Sequence, residues 1–265
     1  MTDETVRSAA RYLLDAHHAR ERFGPIPGSV APRSVSDAYA VQDAFVSLKT
    51  RQAGPAAGYK LALTSPQMRH MVGHDDSIAG VLLRAGLQRT PAKVRASDYT
   101  RLLVEFEIGL ELGADLPAAQ APYARHGVAS AVSAVMPALE LADDRHADYT
   151  CLAQNFLHLI ADNAWNEGAV LGPPNRDWQR LDLADLRGIA TINGIQVGEG
   201  RGGDALGHPL EALAWLANHL ARRSRSLRQG DVVITGSLVT SKFPRAGDRV
   251  QFSIEHLGRV DLAIE

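Results

Sequence analysis

The sequence Val104-Glu105-Phe106-Glu107-Ile108-Gly109-Leu110-Glu111 alternates apolar and acidic side chains without a break. A period of two is typical of a β-strand that has one apolar and one polar face. We therefore predict a strand over residues 102–112, with the apolar side chains against a core and the glutamates on the opposite face. Since one face is polar, this strand is expected in an antiparallel or mixed sheet.

The rest of the chain supports an α+β fold. Residues 3–23 and a segment that we expect to be capped by Ser36 place apolar residues at helical spacing. From residue 57 onward β patterns dominate, and Asn193-Gly194 is typical of a tight hairpin turn. Hairpins outnumber strand–helix–strand units, which favours a mixed sheet over a doubly wound fold. We predict an N-terminal helical lobe over 1–56 and a mixed-β domain over 57–265.

The composition excludes several classes of function. The net charge of −2 and the lack of a basic stripe argue against a nucleic-acid or membrane-surface partner. No apolar stretch is long enough to cross a membrane, and the acidic start Met1-Thr2-Asp3-Glu4 lacks the apolar core of a signal peptide. The only cysteine, Cys151, excludes an intramolecular disulfide and is expected to be a small buried residue. A soluble cytoplasmic protein is expected.

Glu105 and Glu107 form a candidate metal site. Side chains two apart on a strand share a face, roughly 6.5–7 Å apart at Cα, so two carboxylates can lean over one cation. Without a cation they would repel each other, and at least one pKa should rise. A solvated acidic face explains the same pattern, and that alternative remains open here.

A third carboxylate strengthens the metal hypothesis. Glu140 is the only charge in the apolar strand predicted over residues 133–142, where an unpaired buried charge would be costly. Three glutamates suit a hard cation such as Mg²⁺ or Mn²⁺ better than zinc. They leave one negative charge at a divalent ion, so an anionic substrate needs another cation. Lys60, on a short apolar strand, is the candidate, although a surface lysine is equally compatible with the sequence.

The chain resembles the 2-keto-4-pentenoate hydratase and 4-oxalocrotonate decarboxylase branch of the fumarylacetoacetate hydrolase superfamily. The matching segments run in family order from about residue 35 to the end. They are Gly58–Ser65, Val104–Ile108, Pro137–Arg145, Ala161–Ala164, Leu206–Leu210, Trp215–Ala217 and Gly230–Leu238.

The resemblance implies a mixed β-roll with an N-terminal helical lobe, and a homo-oligomer. It also implies Mg²⁺ or Mn²⁺ on Glu105, Glu107 and Glu140. Lys60 is implied as a catalytic residue that also binds substrate. The other substrate-binding positions would be Trp165, Gly236 and Ser237.

Two positions depart from the family pattern. Hydratases of this family carry an aspartate two residues before the glycine that matches Gly80, and this chain has Ile78 there. Decarboxylase relatives tend to be apolar at that position. The family's substrate-facing serine is replaced by Trp165, which removes a hydroxyl donor and adds bulk. The substrate is therefore either reshaped or unusual.

The resemblance implies a lyase acting on a small 2-oxo acid or a 2-hydroxydienoate. Hydration of the 2-keto-4-pentenoate type is the main interpretation, and decarboxylation of 4-oxalocrotonate (2-oxo-3-hexenedioate) is the alternative. A third hypothesis is a divergent paralogue that has lost turnover and serves as a small-molecule-binding or assembly subunit. Ile78 and Trp165 favour the third hypothesis, whereas the three glutamates and Lys60 oppose it.

Overall fold

The computed structural model describes all residues from 1 to 265. Six α-helices are α1 (Asp3–His18), α2 (Val35–Ala53), α3 (Pro66–Val72), α4 (Arg125–Ala129), α5 (Phe156–Ala161) and α6 (Pro209–Ala221). Twelve strands are β1 (Ala56–Ala62), β2 (Ile78–Leu83), β3 (Leu87–Arg89), β4 (Ala92–Val94), β5 (Leu102–Leu112), β6 (Val132–Asp143), β7 (Asn166–Leu171), β8 (Arg187–Ile192), β9 (Ile195–Arg201), β10 (Val232–Lys242), β11 (Arg249–Ile254) and β12 (Gly258–Ile264).

The strands form two mixed sheets. The larger has the order β2-β1-β10-β5-β6-β7-β3, and the smaller has the order β4-β12-β11-β8-β9. Three neighbouring pairs are parallel, namely β1 with β10, β3 with β7 and β4 with β12. The other pairs are antiparallel. This arrangement confirms the predicted α+β class with a mixed β-roll, and neither sheet closes into a barrel.

The main core lies between the two sheets and α6. Val104, Phe106 and Ile108 on β5 are fully buried in it, and the ring of Phe106 meets the ring of Phe252 on β11 edge to face at 5.5 Å. The predicted alternation of β5 is therefore real, because its apolar side chains face the second sheet. Its glutamates are left on the other face of the larger sheet.

The two N-terminal helices pack on each other and on the larger sheet. Phe45 of α2 lies in a small apolar cluster with Leu13 of α1 and Ala161 of α5. Gln42 donates from its buried amide to the carbonyls of Ala79 (2.9 Å) and Ile160 (2.8 Å). The division of the chain at residue 56 stays a prediction.

Three local expectations can be compared with the structure. Ser34 rather than Ser36 caps α2, because its Oγ accepts the amide of Asp37 at 3.1 Å. Cys151 is exposed in a 3-10 turn, so the prediction that it is a core residue was wrong. The hairpin at Asn193-Gly194 joins β8 to β9 through two residues with positive φ, as predicted. None of the helices has both the length and the apolar character that a membrane span requires.

Candidate metal centre and substrate cavity

The strands β5 and β6 bring the three predicted glutamates together. Glu105 stands directly opposite Glu140 in the antiparallel register, and Glu107 lies two residues further along the same face. One carboxylate oxygen from each lies within 4.8 Å of the other two. Glu107 and Glu140 are fully buried, and Glu105 is half-buried. The alternative of a solvated acidic face therefore does not fit this part of the strand.

Each glutamate has one oxygen fixed by a neighbouring donor. Glu107 Oε2 accepts the amide of Gly236 at 2.5 Å, and Glu140 Oε1 accepts the side-chain amide of Asn166 at 2.9 Å. Glu105 Oε1 accepts the hydroxyl of Ser241 at 2.7 Å. These bonds orient the carboxylates towards their common centre.

The remaining oxygens of the two buried glutamates show that a cation fits. Glu107 Oε1 and Glu140 Oε2 are inaccessible to solvent and have no hydrogen-bond partner. A buried acceptor without a partner is costly, and the cost is larger when it is charged. A set of carboxylate oxygens suits a hard divalent ion. The donor set therefore fits the magnesium or manganese ion that the sequence predicted.

The cluster contains more negative than positive charge. Burial raises the pKa of Glu107 well above its usual value, and the charges of Glu140 and Glu105 raise it further. Burial likewise raises the pKa of Glu140, although Lys60 partly offsets this effect. Burial lowers the pKa of Lys60, but the three glutamates outweigh it and leave that pKa raised. One lysine is thus surrounded by more negative charge than it neutralises.

Lys60 is part of this centre and is not a surface lysine. Its side chain is buried, and Nζ lies 3.0 Å from Glu140 Oε1. The neighbouring strand makes room for it at Gly80, where a Cβ would stand 3.2 Å from Lys60 Cγ and 2.7 Å from the carbonyl of Asn163. Gly80 is therefore needed to pack β2 against the lysine stem.

A cavity of about 340 Å³ opens over the acidic centre. Lys60, Glu105 and Gly236 line it on one side, and the polar residues Thr64, Ser65 and Asp204 also contribute to its surface. The rest of the lining is largely apolar, consisting of Leu103, Ala142, Leu152, Leu159, Ala164, Trp165 and their neighbours. A second cavity of about 330 Å³ lies beside His17, Lys49 and Glu167, and none of the three clustered glutamates lines it.

The cavity over the acidic centre is also lined by the three further residues that the resemblance assigned to substrate binding, Trp165, Gly236 and Ser237. Gly236 has a φ of +103°, and a Cβ there would stand 2.2 Å from Thr64 Oγ1, so only glycine fits. Ser237 turns its hydroxyl to the backbone, accepting from the amide of Phe106 and donating to the carbonyl of Val239 at 2.7 Å. The serine hydroxyl thus holds β10 in place.

The two departures from the family pattern lie in one apolar cluster. Ile78 is 1% exposed and belongs to the same cluster as Trp165. The indole of Trp165 meets the ring of Phe23 edge to face at 5.1 Å and the ring of Tyr149 at 5.9 Å. Neither position supplies an acid or a hydroxyl to the cavity.

Sequence reasoning missed the residues that hold the site in place. Asn166 and Ser241 orient two of the glutamates, and neither carries a motif that would have marked it. Asp162, just before the segment that carries Trp165, pairs with Arg145 and accepts from His17 Nε2 at 2.5 Å. The only sequence signal for Asp162 was its position in the segment Ala161–Ala164, which matches the family.

Known proteins match this chain over most or all of its length. The family model described as fumarylacetoacetate (FAA) hydrolase C-terminal matches residues 67–264. This chain belongs to the fumarylacetoacetate hydrolase family. Among its relatives, a 2-keto-4-pentenoate hydratase of Paraburkholderia xenovorans (strain LB400) is 30% identical over 265 residues, covering 100% of this chain and 97% of the relative. A 2-hydroxyhexa-2,4-dienoate hydratase of Comamonas testosteroni is 29% identical, covering 96% of this chain and 95% of the relative.

A solved structure of the family has the same fold. The 4-oxalocrotonate decarboxylase from Pseudomonas putida G7, complexed with magnesium and adipate, superposes with a TM-score of 0.90 at 26% identity. The match covers 100% of this chain and 99% of the decarboxylase. The predicted family and its roll fold are therefore confirmed, and both activities that name the predicted branch occur among the similar proteins.

Proposed function

We propose that this protein is a divalent-metal-dependent lyase that hydrates a 2-hydroxy-2,4-dienoate or the corresponding 2-oxo acid. The observation that carries the proposal is the pair of unpartnered buried oxygens, Glu107 Oε1 and Glu140 Oε2, on two carboxylates that cluster with that of Glu105 within 4.8 Å. The membership of the family and the hydratase relatives support the same reaction class. An intact metal centre also opposes the hypothesis of a binding protein that has lost turnover.

Glu105, Glu107 and Glu140 would hold Mg²⁺ or Mn²⁺, each through one carboxylate oxygen. When bound, such an ion would supply a Lewis acid that stabilises negative charge developing on the C2 oxygen of a 2-oxo acid. The amides of Gly236 and Asn166 fix one oxygen of Glu107 and one of Glu140 and leave the second oxygen of each without a partner. This fixed geometry lowers the cost of ordering the ligands when the ion binds.

Lys60 is the proposed catalytic lysine and the only cationic side chain that lines the cavity. Its Nζ is fixed beside Glu140, so it can hold the carboxylate of a bound 2-oxo acid or donate a proton to the substrate. The dienol must gain a proton at its terminal carbon and lose its hydroxyl proton before water adds to the unsaturated ketone. Ser65 and Thr64 line the same cavity and offer hydroxyls to orient that water.

Decarboxylation is the second candidate function because one observation favours it. Ile78 is buried in an apolar cluster where hydratases of the family carry an acid, so the chain lacks that proton-transfer group. The decarboxylase of Pseudomonas putida G7 also shares the fold over its whole length. Both reactions would use the same electron sink at C2, so the glutamates alone do not separate them.

An ultraviolet assay separates these functions. Purified protein with Mg²⁺ is mixed with 2-hydroxypenta-2,4-dienoate in H₂¹⁸O and, separately, with 2-oxo-3-hexenedioate. The expected result is loss of the dienol absorbance with ¹⁸O in the new C4 hydroxyl of the product, and both should disappear when EDTA removes the metal. Release of CO₂ from the second compound would instead establish the decarboxylase. Silence with both compounds would contradict the proposal of a lyase.

We also propose that the protein acts as a cytoplasmic homo-oligomer with a helical lobe over residues 1–56 and a catalytic domain over residues 57–265. The family resemblance supports the assembly, and the single cysteine fits a reducing compartment. Light scattering after size-exclusion chromatography should give a multiple of the 28.5 kDa chain mass. A monomer at micromolar concentration would contradict the assembly.

A further inference from the structure

The substrate cavity changes from charged to apolar along one face of the larger sheet. Glu105 and Glu140 are direct partners in the register of β5 and β6, and the next pair on that face is Leu103 opposite Ala142. Two residues along a strand span roughly 6.5–7 Å. A short acid whose carboxylate is bound by Lys60 and by the metal that the glutamates would hold could therefore extend its far end over Leu103 and Ala142.

The segment that links β6 to β7 covers this apolar end. Leu152, Leu159 and Trp165 come from it, line the cavity and pack in one cluster with Leu103 and Ala142. The indole Nε1 of Trp165 is inaccessible to solvent and has no partner. The tryptophan therefore presents ring carbon rather than its N–H donor to the cavity.

The backbone of residues 163–165 fixes the part of the cavity lining that carries Trp165. Asn163, Ala164 and Trp165 have successive positive φ values of 54°, 48° and 62°, which non-glycine residues rarely adopt. Asn163 fixes this run by pairing with both backbone groups of Val81, accepting at 2.7 Å and donating at 3.0 Å. The backbone that carries Trp165 is thus fixed by the contacts of Asn163 with β2.

The lining of the cavity offers no cation to the apolar end. Lys60 is the only positive side chain in the cavity lining, and it belongs to the acidic centre. The arginines that adjoin the two strands are already paired, Arg101 with Asp144 and Arg145 with the buried Asp162. Since Asp204 adds a further negative charge to the lining, a second carboxylate in the cavity would have no cation to pair with.

We propose that the cavity selects 2-oxo acids and 2-hydroxydienoates whose distal end is neutral and apolar, a hydrogen or a short alkyl group, and rejects dicarboxylates. The residues that determine this specificity are Leu103, Leu159 and Trp165. The inference rests on the proposed function, because the acidic centre must hold the carboxylate and the C2 oxygen. It favours the hydratase over the decarboxylase, whose substrate 2-oxo-3-hexenedioate has a second carboxylate.

A matched pair of unreactive ligands tests this selectivity apart from turnover. Calorimetry with Mg²⁺ present compares 2-oxohexanoate with 2-oxoadipate, which has the same chain length and differs by a terminal carboxylate. We expect 2-oxohexanoate to bind at least about tenfold more tightly, which corresponds to about 1.4 kcal/mol. Equal or tighter binding of 2-oxoadipate would overturn the proposed selectivity and leave the metal-dependent function intact. If neither acid bound in a Mg²⁺-dependent way, the proposed function and this inference would both fail.

A variant at the cavity rim provides a second test that does not disturb the core. Met68 lines the cavity and is 37% exposed, so Met68→Lys should fold and add a cation near the apolar lining. We expect it to raise the affinity for 2-oxoadipate severalfold and to change that for 2-oxohexanoate by less than twofold. Val35→Lys, at a position equally exposed but outside the cavity, is the control. Equal effects of both variants, or none from either, would count against recognition of the distal group in this cavity.

Discussion

Glu107 is the least compensated charge of the acidic centre. It is fully buried, one of its oxygens lacks a partner, and burial together with two neighbouring glutamates raises its pKa. Glu107→Gln removes one negative charge and one ligand but keeps the size of the side chain. We expect this variant to remain folded and to lose Mg²⁺ binding, as measured by calorimetry and by the loss of the Mg²⁺-induced rise in Tm.

The matched control is Glu111→Gln. Glu111 lies on the same strand and also carries an acidic side chain, but it pairs with Arg89 and Arg176 at the partly exposed end. This variant should bind Mg²⁺ like the wild type. An unchanged Mg²⁺ affinity in Glu107→Gln would count decisively against the three-glutamate site.

Asn166 is not one of the candidate metal ligands, but it positions one of them. Its amide donates to Glu140 Oε1 at 2.9 Å and to the carbonyl of Gly168 at 3.3 Å, so it fixes the carboxylate. We expect Asn166→Ala to weaken Mg²⁺ binding by roughly 10- to 100-fold. Asn175→Ala is the control for calorimetry, because this half-buried amide contacts only backbone groups, donating to the carbonyl of His256 and accepting the amide of Asp177. The positioning role would be refuted by equal affinities in the two variants.

Trp165 narrows the cavity, and its truncation should broaden substrate acceptance. Trp165→Ser should raise kcat/KM for bulkier dienoates relative to 2-hydroxypenta-2,4-dienoate and should lower Tm, because a large buried side chain is removed. Trp165→Phe should keep more of the original profile. If the substrate profile of Trp165→Ser were the same as that of the wild type, the tryptophan would not limit the cavity.

At the level of elements, α1 is tied to the segment that carries Trp165. His17 contacts Asp162 at 2.5 Å, and its other ring nitrogen lies 3.4 Å from Glu167 Oε1. Burial lowers the pKa of His17, but the two acids outweigh this effect and leave it raised. Burial raises the pKa of Asp162, yet the charges of His17 and Arg145 leave it lowered. The N-terminal helix thereby supports a wall of the substrate cavity.

This contact predicts a pH-dependent contribution to stability. A histidine with a raised pKa stabilises the fold fully below its unfolded pKa of about 6.5 and loses that contribution as the pH rises through its folded pKa. Relative to the wild type, His17→Asn should therefore lower Tm by roughly 2–4 °C at pH 6, for about 1 kcal/mol, and by less at pH 9. His18→Asn, at an exposed neighbour, should show no such difference. A Tm difference for His17→Asn that does not change with pH would exclude the charged contact.

Elements with local signals were predictable, whereas long-range contacts were not. The alternation of β5 predicted the strand and its acidic face, and the isolated charge of Glu140 in β6 predicted the third member of the glutamate cluster. Asn166 and Ser241 reach these glutamates only through the pairing of separate strands, so no spacing along the sequence predicts them. The prediction that Cys151 is buried was wrong because the apolar helix α5 begins only at Phe156, and the cysteine lies in the exposed turn before it.

In the whole molecule, the two faces of the larger sheet have separate tasks. One face packs on the smaller sheet and supplies the core that stabilises the roll. The other face carries Glu105, Glu107 and Glu140 under a cavity closed by the segment between β6 and β7. A strand whose alternate residues serve these two tasks explains why one stretch of sequence indicated both the fold and the site.

Diffraction from crystals grown with Mn²⁺ tests the metal centre most directly. We predict a single anomalous peak between Glu105, Glu107 and Glu140, with carboxylate oxygens about 2.0–2.6 Å away. The same peak should vanish in Glu107→Gln crystals and persist in Glu111→Gln crystals. A map with no peak at the three glutamates, or with the ion bound elsewhere, would contradict the account.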